Sequence, residues 1–171
     1  MYKILLNKMK QNIEIKIVFE EYDNISELQN TDQELLKKAV EASGNAYAPY
    51  SEYYVGAAVL LGNGKIITGN NQENAAYPSG LCAERVAIYY ASSQYPEEEI
   101  LAIAITAKAK NFSIDTPVAP CGACRQVLAE YETRQNKSIR LLLMSDNGKI
   151  QIIKSVEDVL PLMFHANELK K

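Results

Sequence analysis

Two segments of the chain share a local pattern in which a cysteine opens a run of apolar residues at helical spacing. Apolar residues after Cys82 recur at intervals of three and four, which predicts a helix with one apolar face. A second such helix is predicted after Pro120, because the same spacing begins at Cys124. The apolar positions are Ala83, Val86, Ala87, Tyr90 and Ala91 in the first segment and Val127, Leu128 and Tyr131 in the second. The fold must therefore accommodate two equivalent helices that each begin with cysteine.

The remaining segments predict mostly strands. A hairpin is expected where residues 55–61 and 65–69 flank Gly62-Asn63-Gly64, because glycine and asparagine tolerate positive φ. Residues 101–107 are almost continuously apolar, as is typical of a strand covered on both faces. Patterns of the same kind predict strands at 13–19, 139–144 and 150–153 and helices at 32–43 and 156–164. This alternation predicts an α/β fold, a three-layer α/β/α sandwich around a mixed sheet.

Length and charge narrow the classes of protein. We expect one domain at residues 31–171, preceded by an amino-terminal extension at residues 1–30, because 171 residues suit a single core. The net charge of −3 disfavours a nucleic-acid polymer as partner. The apolar runs are far shorter than the roughly 18 residues of a membrane helix, and no export signal is recognised. A cytoplasmic protein that binds a small molecule is therefore predicted.

The three cysteines predict a metal centre better than a disulfide framework, since their number is odd. Cys121 and Cys124 lie three residues apart, on one side of a first helical turn, so both can hold one ion. Cys82 begins the other helix and supplies a third ligand. A structural zinc usually has four protein ligands, whereas a catalytic zinc keeps one position for water. Three ligands therefore favour one catalytic zinc ion per chain.

The residues beside the cysteines suggest the rest of the chemistry. Glu84 is the acid nearest to a ligand in sequence, whereas the only histidine, His165, lies in the carboxy-terminal tail, so Glu84 is the predicted proton carrier. Arg85 and Arg125 are placed to donate hydrogen bonds to the sulfurs and offset their charge. Replacing both arginines by glutamine should then raise the pH at which activity appears.

The segments around the three cysteines, and three segments upstream of them, resemble those of one protein family. Cys82-Ala83-Glu84-Arg85, followed by Pro120-Cys121-Gly122-Ala123-Cys124-Arg125-Gln126, resembles the small three-cysteine cytidine deaminases. Three further segments are similar to the same family, and the similarity extends over roughly residues 32–165. These segments are Tyr47-Ala48-Pro49-Tyr50-Ser51, Val55-Gly56-Ala57-Ala58 and Asn71-Gln72-Glu73-Asn74-Ala75-Ala76-Tyr77.

The resemblance implies an activity and a set of contacts. It implies hydrolytic deamination of cytidine and 2′-deoxycytidine to uridine and 2′-deoxyuridine with release of ammonia, in pyrimidine salvage. Asn71 and Glu73 would bind the ribose hydroxyls, and Tyr53 would stack on the base where the family usually has phenylalanine. The family's short members are homotetramers, which implies that further residues reach a neighbouring subunit's ligand. These are Ala75, Tyr77 and Phe164.

Other interpretations remain open at the level of sequence. Cys-x-x-Cys alone also suits a dithiol oxidoreductase, which would need no zinc, or a structural metal clip, and the three cysteines together with His165 could form a structural zinc site. A zinc-clipped binding module would release no ammonia. Asn71 and Glu73 could simply cap a turn. Within the deaminases, an enzyme acting on a cytosine-containing antibiotic such as blasticidin S shares both zinc motifs, and the preference between ribose and deoxyribose is not determined.

Overall fold

The computed structural model describes residues 11–165 and residue 169, and within them six strands and three α-helices are found. Three short 3-10 turns lie at Ile25–Glu27, Tyr77–Ser79 and Val156–Val159. The longer elements are, in chain order, β1 (Phe19–Tyr22), α1 (Asn30–Ser43), β2 (Tyr53–Leu61), β3 (Ile66–Asn70), α2 (Ala83–Gln94), β4 (Ile100–Ala109), α3 (Gly122–Gln135), β5 (Arg140–Met144) and β6 (Ile150–Ile153).

All six strands form one mixed sheet in the order β1-β6-β5-β4-β2-β3. The central pair, β4 and β5, runs parallel, with Ile103 opposite Leu141. Every other neighbouring pair is antiparallel. Helix α3 makes the crossover between β4 and β5, because parallel neighbours cannot be joined by a tight turn. The mixed sheet is therefore as predicted.

Both faces of the sheet are covered by helices. Successive side chains of a strand point to opposite faces, so Ala57 and Val59 of β2 join one core cluster and Ala58 joins the other. The cluster around Ala58 includes Leu35 and Leu36 of α1. The opposite cluster takes its helical residues from α2 and α3, namely Ala83, Ala87, Ile88, Ala91, Leu128 and Ala129. The predicted three-layer α/β/α sandwich is thus confirmed.

Two glycines allow the helices to approach the sheet closely. A Cβ atom at Gly56 would lie 1.9 Å from the carbonyl oxygen of Ala39 in α1. A Cβ atom at Gly69 would lie 2.5 Å from the backbone nitrogen of Ala87 in α2. Any side chain would therefore push the helix away, so these two positions set the spacing between the layers.

The two cysteine-initiated helices and the hairpin lie where they were expected. Cys82 and Cys121 are the N-cap residues of α2 and α3. The hairpin of β2 and β3 turns at residues 62–65, where Gly64 has a φ of 81°. None of the helices in the described ranges is long and apolar enough to cross a membrane.

Two predicted elements differ from the structure. The strand predicted at 13–19 is found at Phe19–Tyr22, because only there does the chain pair with β6. The predicted helix at 156–164 is a single 3-10 turn, Val156–Val159, since Pro161 follows Leu160 and cannot continue a helix. Residues 1–10 of the predicted extension lie outside the described residues.

Candidate active site

The amino-terminal ends of α2 and α3 bring three thiols together. Cys82 Sγ lies 4.0 Å from Cys121 Sγ, which in turn lies 3.5 Å from Cys124 Sγ. All three sulfurs lie within 4.8 Å of one another. Sulfurs that share a tetrahedral zinc ion, each 2.3 Å from it, are about 3.8 Å apart. The donor set and its spacing therefore fit a zinc ion without rearrangement of the helices.

The electrostatics of the three sulfurs also favour a cation. A hydrogen bond from Cys124 lowers the pKa of Cys82 to about 5, and a further hydrogen bond from Arg85 adds to this effect against the opposing influence of burial. The hydrogen bond to Cys82, together with burial, raises the pKa of Cys124 above its ordinary value. Ionisation of one thiol thus opposes ionisation of its neighbour. A bound cation would offset the repulsion between the two negative charges.

The two predicted arginine contacts have different outcomes. Arg85 Nη2 donates to Cys82 Sγ at 3.6 Å, as expected. Arg125 does not follow the expectation, because its guanidinium donates to the carbonyl oxygens of Pro120 and Val159 at 2.7 and 3.1 Å. Arg125 therefore holds the segment that enters Cys121, and Arg85 is the arginine that touches a ligand sulfur.

Glu84 is buried in the first turn of α2, with only 5% of its surface exposed. Burial raises the pKa of its carboxyl group, opposed in part by a hydrogen bond with its own backbone. The charge of the Cys82 sulfur raises this pKa further, so the carboxyl group lies close enough to the sulfurs to sense their ionisation. A carboxyl group whose pKa is raised by burial is a stronger base than one in water, so it takes up a proton more readily.

A cavity of about 690 Å³ opens onto the sulfurs and Glu84. This volume lies within the range of small-molecule sites. Aromatic and polar side chains surround the cavity, and the predicted residues Tyr53, Asn71, Glu73, Tyr77, Cys82, Glu84, Arg85 and Cys121 all line it. The structure therefore gathers most of the predicted site around one opening.

Asn71 and Glu73 have protein partners as well as access to the cavity. Asn71 Oδ1 accepts from Val55 N at 2.7 Å, and its Nδ2 donates to Tyr53 O at 2.9 Å. The Glu73 carboxylate accepts from Tyr50 N at 2.8 Å and from the Ser51 hydroxyl group. The hydrogen bond from Ser51 lowers the pKa of Glu73, so the carboxylate stays ionised. Both side chains are thereby held in fixed orientations at the cavity wall.

Tyr53 stacks on a residue that sequence reasoning missed. Its ring lies 6.4 Å from the ring of Phe112, with an angle of 29° between the planes. The preceding residue, Glu52, has a φ of 51°, and its carboxylate accepts from the side chains of Lys110 and Asn111. This turn fixes the direction of Tyr53. No sequence pattern links Phe112 to Tyr53, because the contact joins residues distant in the chain.

The remaining predicted contacts lie at the surface. Tyr77 is 76% exposed, although its ring makes an edge contact with Tyr50 at 6.1 Å. Ala75 and Phe164 are exposed and do not line the cavity formed by the described part of this chain. The Phe164 backbone is held by the Gln126 side chain.

Comparison with known proteins places this geometry in context. Residues 29–138 match the family model of the cytidine and deoxycytidylate deaminase zinc-binding region. A cytidine deaminase from Halalkalibacterium halodurans is 42% identical over 80% of this chain and 96% of its own length. One from Sporosarcina psychrophila is 38% identical over 80% of this chain and 93% of its own length.

Solved structures give the same result. The crystal structure of cytidine deaminase from Burkholderia pseudomallei has a TM-score of 0.68 and 36% identity, covering 77% of this chain and 97% of that chain. The Mycobacterium tuberculosis cytidine deaminase structure has a TM-score of 0.59 and 32% identity, covering 77% and 95% of the two chains.

Proposed function

The chain belongs to the cytidine and deoxycytidylate deaminase family, and from this premise we propose how its residues divide the work of deamination. The protein is a zinc-dependent cytidine deaminase, which adds water to cytidine and releases uridine and ammonia. One observation carries the assignment of the site, namely the convergence of three thiols and a buried carboxyl group on a single cavity.

The metal would be held by Cys82, Cys121 and Cys124, whose spacing and charge suit zinc. Zinc bound there supplies a water of lowered pKa and hence a nucleophile at neutral pH. Arg85 donates to the Cys82 sulfur and balances part of the negative charge of the thiolates. Because it opposes proton uptake by Cys82, Arg85 keeps that sulfur available as a ligand.

Glu84 is the proposed proton carrier. It accepts one proton from the attacking water and passes it to the ring nitrogen of the base. It then takes the second proton from the same oxygen, now bonded to the base, and passes it to the amino nitrogen, which leaves as ammonia. Its burial beside the sulfurs and its raised pKa support this assignment, since a carboxylate in water is a weaker base and would take up the proton of the attacking water less readily.

Tyr53, Asn71 and Glu73 are the proposed contacts to the nucleoside. The Tyr53 ring offers a face for stacking on cytosine. The side chains of Asn71 and Glu73 retain free hydrogen-bonding capacity for ribose hydroxyls after their protein contacts are made. When the 2′-hydroxyl is absent, Asn71 and Glu73 both keep their hydrogen bonds to the protein. We therefore expect 2′-deoxycytidine to be accepted as well.

We also propose the assembly and setting of the enzyme. The exposed rings of Tyr77 and Phe164 suit burial against neighbouring subunits of a homotetramer. Ala75, two residues before Tyr77, would lie in the same contact. Light scattering on the purified protein would measure the number of subunits. Residues 31–171 would form the catalytic domain, preceded by residues 1–30 as an extension. Salvage of pyrimidine nucleosides in the cytoplasm is the proposed role.

The decisive experiment compares the wild type with Glu84→Gln and with the exposed control Glu97→Gln. Loss of cytidine absorbance gives kcat and KM, and atomic absorption gives the zinc content. We expect Glu84→Gln to retain zinc but to lose about 10²- to 10⁴-fold in kcat, the usual contribution of a positioned proton carrier. Glu97→Gln should match the wild type, because its carboxylate is exposed on the segment before β4.

Two outcomes would contradict the proposal. A zinc-replete Glu84→Gln variant with wild-type kcat would exclude Glu84 as the proton carrier. A zinc-replete wild type that releases ammonia from blasticidin S but not from cytidine would reassign the substrate within the deaminases. Assay of 2′-deoxycytidine in parallel tests the proposed tolerance for the missing hydroxyl.

A further inference from the structure

Residues 11–18 lead directly into β1 and have no regular secondary structure. They make no backbone pairing with other residues in the described ranges, although β-branched residues are frequent among them. The apolar side chains of this segment are exposed, with Ile13 at 84%, Ile15 at 55% and Ile17 at 45%. Isoleucine at every second position is the pattern of a strand, and exposed apolar strand edges are usually paired or protected.

The segment has two distinct sides when it is extended. Alternate side chains of a strand point in opposite directions, so Ile13, Ile15 and Ile17 share one side. Glu14 and Lys16 share the other side. β1, which the segment enters, is the last strand of the sheet in the described part of the chain and pairs only with β6. The outer edge is therefore open along both β1 and the segment before it.

The sequence of the segment is complementary to itself. If two copies pair antiparallel about a two-fold axis at Ile15, Glu14 of each copy lies opposite Lys16 of the other. In the same register, Ile13 lies opposite Ile17 of the other copy, and the two Ile15 side chains face each other. Two pairs of opposite charge and three apolar pairs result from one symmetric arrangement.

Neighbouring registers are disfavoured by the same residues. Centring the axis on Glu14 or on Lys16 places two identical charges opposite each other, which is destabilising. Shifting the pairing by a single residue places isoleucines opposite charged side chains and turns the apolar side over. The charge pattern thus selects the register centred on Ile15.

We propose that residues 13–17 pair with the same segment of a second copy of this chain, antiparallel and centred on Ile15. The pairing extends the outer edge of each sheet beyond β1 and brings the isoleucine side chains of the two copies into contact side by side on one face. It does not depend on the proposed deaminase chemistry, because β6 and β5 separate β1 from the strands that line the cavity. The strand predicted from the sequence at 13–19 then forms between subunits rather than within one.

Disulfide trapping in the zinc-loaded, full-length protein tests this arrangement. In Ile15→Cys, the two new cysteines would lie directly opposite, with Cα atoms about 4.5–5.5 Å apart, which a disulfide can span. The matched control is Asn12→Cys, also exposed, whose two copies would lie about 20 Å apart along the paired strands. We expect a covalent dimer on a non-reducing gel for Ile15→Cys at least about tenfold faster than for Asn12→Cys.

Charge reversal provides the second part of the test. Lys16→Glu in the Ile15→Cys background would oppose Glu14 with glutamate twice per dimer and should slow cross-linking by about fivefold or more. Adding Glu14→Lys restores opposite charges and should return the rate to within about twofold of the parent. Turnover of cytidine should be unchanged in all of these variants.

Equal cross-linking of Ile15→Cys and Asn12→Cys would overturn the proposal, since it would indicate random collision. The proposal would also be overturned if Lys16→Glu did not slow cross-linking of Ile15→Cys. It would be overturned equally if adding Glu14→Lys did not restore the rate. Loss of deaminase activity in the wild type would refute the proposed function alone, because the cross-linking pattern is measured separately.

Discussion

At the level of single residues, Arg85 and Arg125 show how sequence position and contact can diverge. Each follows a cysteine of the proposed metal site closely, yet only Arg85 donates to one of its sulfurs. Arg125 satisfies the carbonyl oxygens of Pro120 and Val159. The direction of each guanidinium is decided by the segment that packs against its helix, which for α3 is the 3-10 turn Val156–Val159.

Replacement of Arg85 and of Arg125 should therefore have different effects. Arg85→Gln removes the cation that stabilises the thiolate form of Cys82, so proton uptake by the sulfur begins at higher pH. We expect the acidic limb of kcat/KM to move to higher pH in this variant, measured with cytidine from acid to neutral pH.

Arg125→Gln provides the contrast. It loses charged hydrogen bonds to two carbonyl groups and should lower the free energy of unfolding by about 1.5–3 kcal/mol, measured by urea denaturation. Its acidic limb should match that of the wild type. The same pH shift in both variants would contradict the distinction drawn from their contacts.

At the level of elements, the site depends on how closely α2 lies on the sheet. Cys82 caps α2, and Glu84 lies in its first turn, so any displacement of the helix moves both. Gly69 of β3 lies against the α2 backbone at Ala83 and Ala87. Gly56 of β2 makes a similar approach to α1, which carries none of the proposed site residues.

Substitution of these glycines by alanine separates stability from activity. Gly69→Ala and Gly56→Ala should each destabilise the fold by about 1–3 kcal/mol or more, because the new methyl group meets helix backbone. Only Gly69→Ala should also lower kcat of the folded fraction, since it displaces Glu84 and Cys82. Urea denaturation and steady-state assays below the melting temperature provide the two measurements.

Gly62→Ala is the matched control, because its new methyl group would meet neighbours only at ordinary contact distance, 3.5 Å or more. It should resemble the wild type in both assays. Equal losses of kcat in Gly56→Ala and Gly69→Ala would show that the helix spacing at α2 has no special bearing on the site.

At the level of the whole molecule, the thiols join parts of the chain that are far apart in sequence. Cys82 and Cys121 are separated by 39 residues, with all of β4 between them. A zinc ion shared by them would bind the folded state and have little affinity for the unfolded chain, where the three sulfurs are dispersed. The metal should therefore contribute to stability as well as to chemistry.

Removal of the metal should lower the melting temperature. A free zinc concentration of about 1,000 times Kd would raise the free energy of unfolding by about 4 kcal/mol. For a chain of this size, that corresponds to a change in melting temperature of roughly 10 °C. Calorimetry with and without a strong chelator measures the shift, and added zinc should restore both the melting temperature and the turnover. In Cys124→Ser the chelator should have little effect, and an equal shift there would rule out the three-thiol site as its source.

The sequence alone determined the features that depend on neighbours a few residues apart. Apolar spacing and the cysteine positions placed the starts of α2 and α3. The Gly62-Asn63-Gly64 turn placed the β2–β3 hairpin. The odd number of cysteines and the three-residue spacing of Cys121 and Cys124 indicated a metal centre with one position left for water. These patterns suffice because helix periodicity, capping and tight turns are set by local sterics and hydrogen bonding.

Only the tertiary structure decided which distant groups meet. The stacking of Phe112 on Tyr53 and the carbonyl partners of Arg125 join segments far apart in the chain. The strand expected at 13–19 shifted to Phe19–Tyr22, because a strand needs a partner and β6 supplies one only there. Strand propensity and side-chain chemistry are local properties, whereas pairing and contact are consequences of the packed fold.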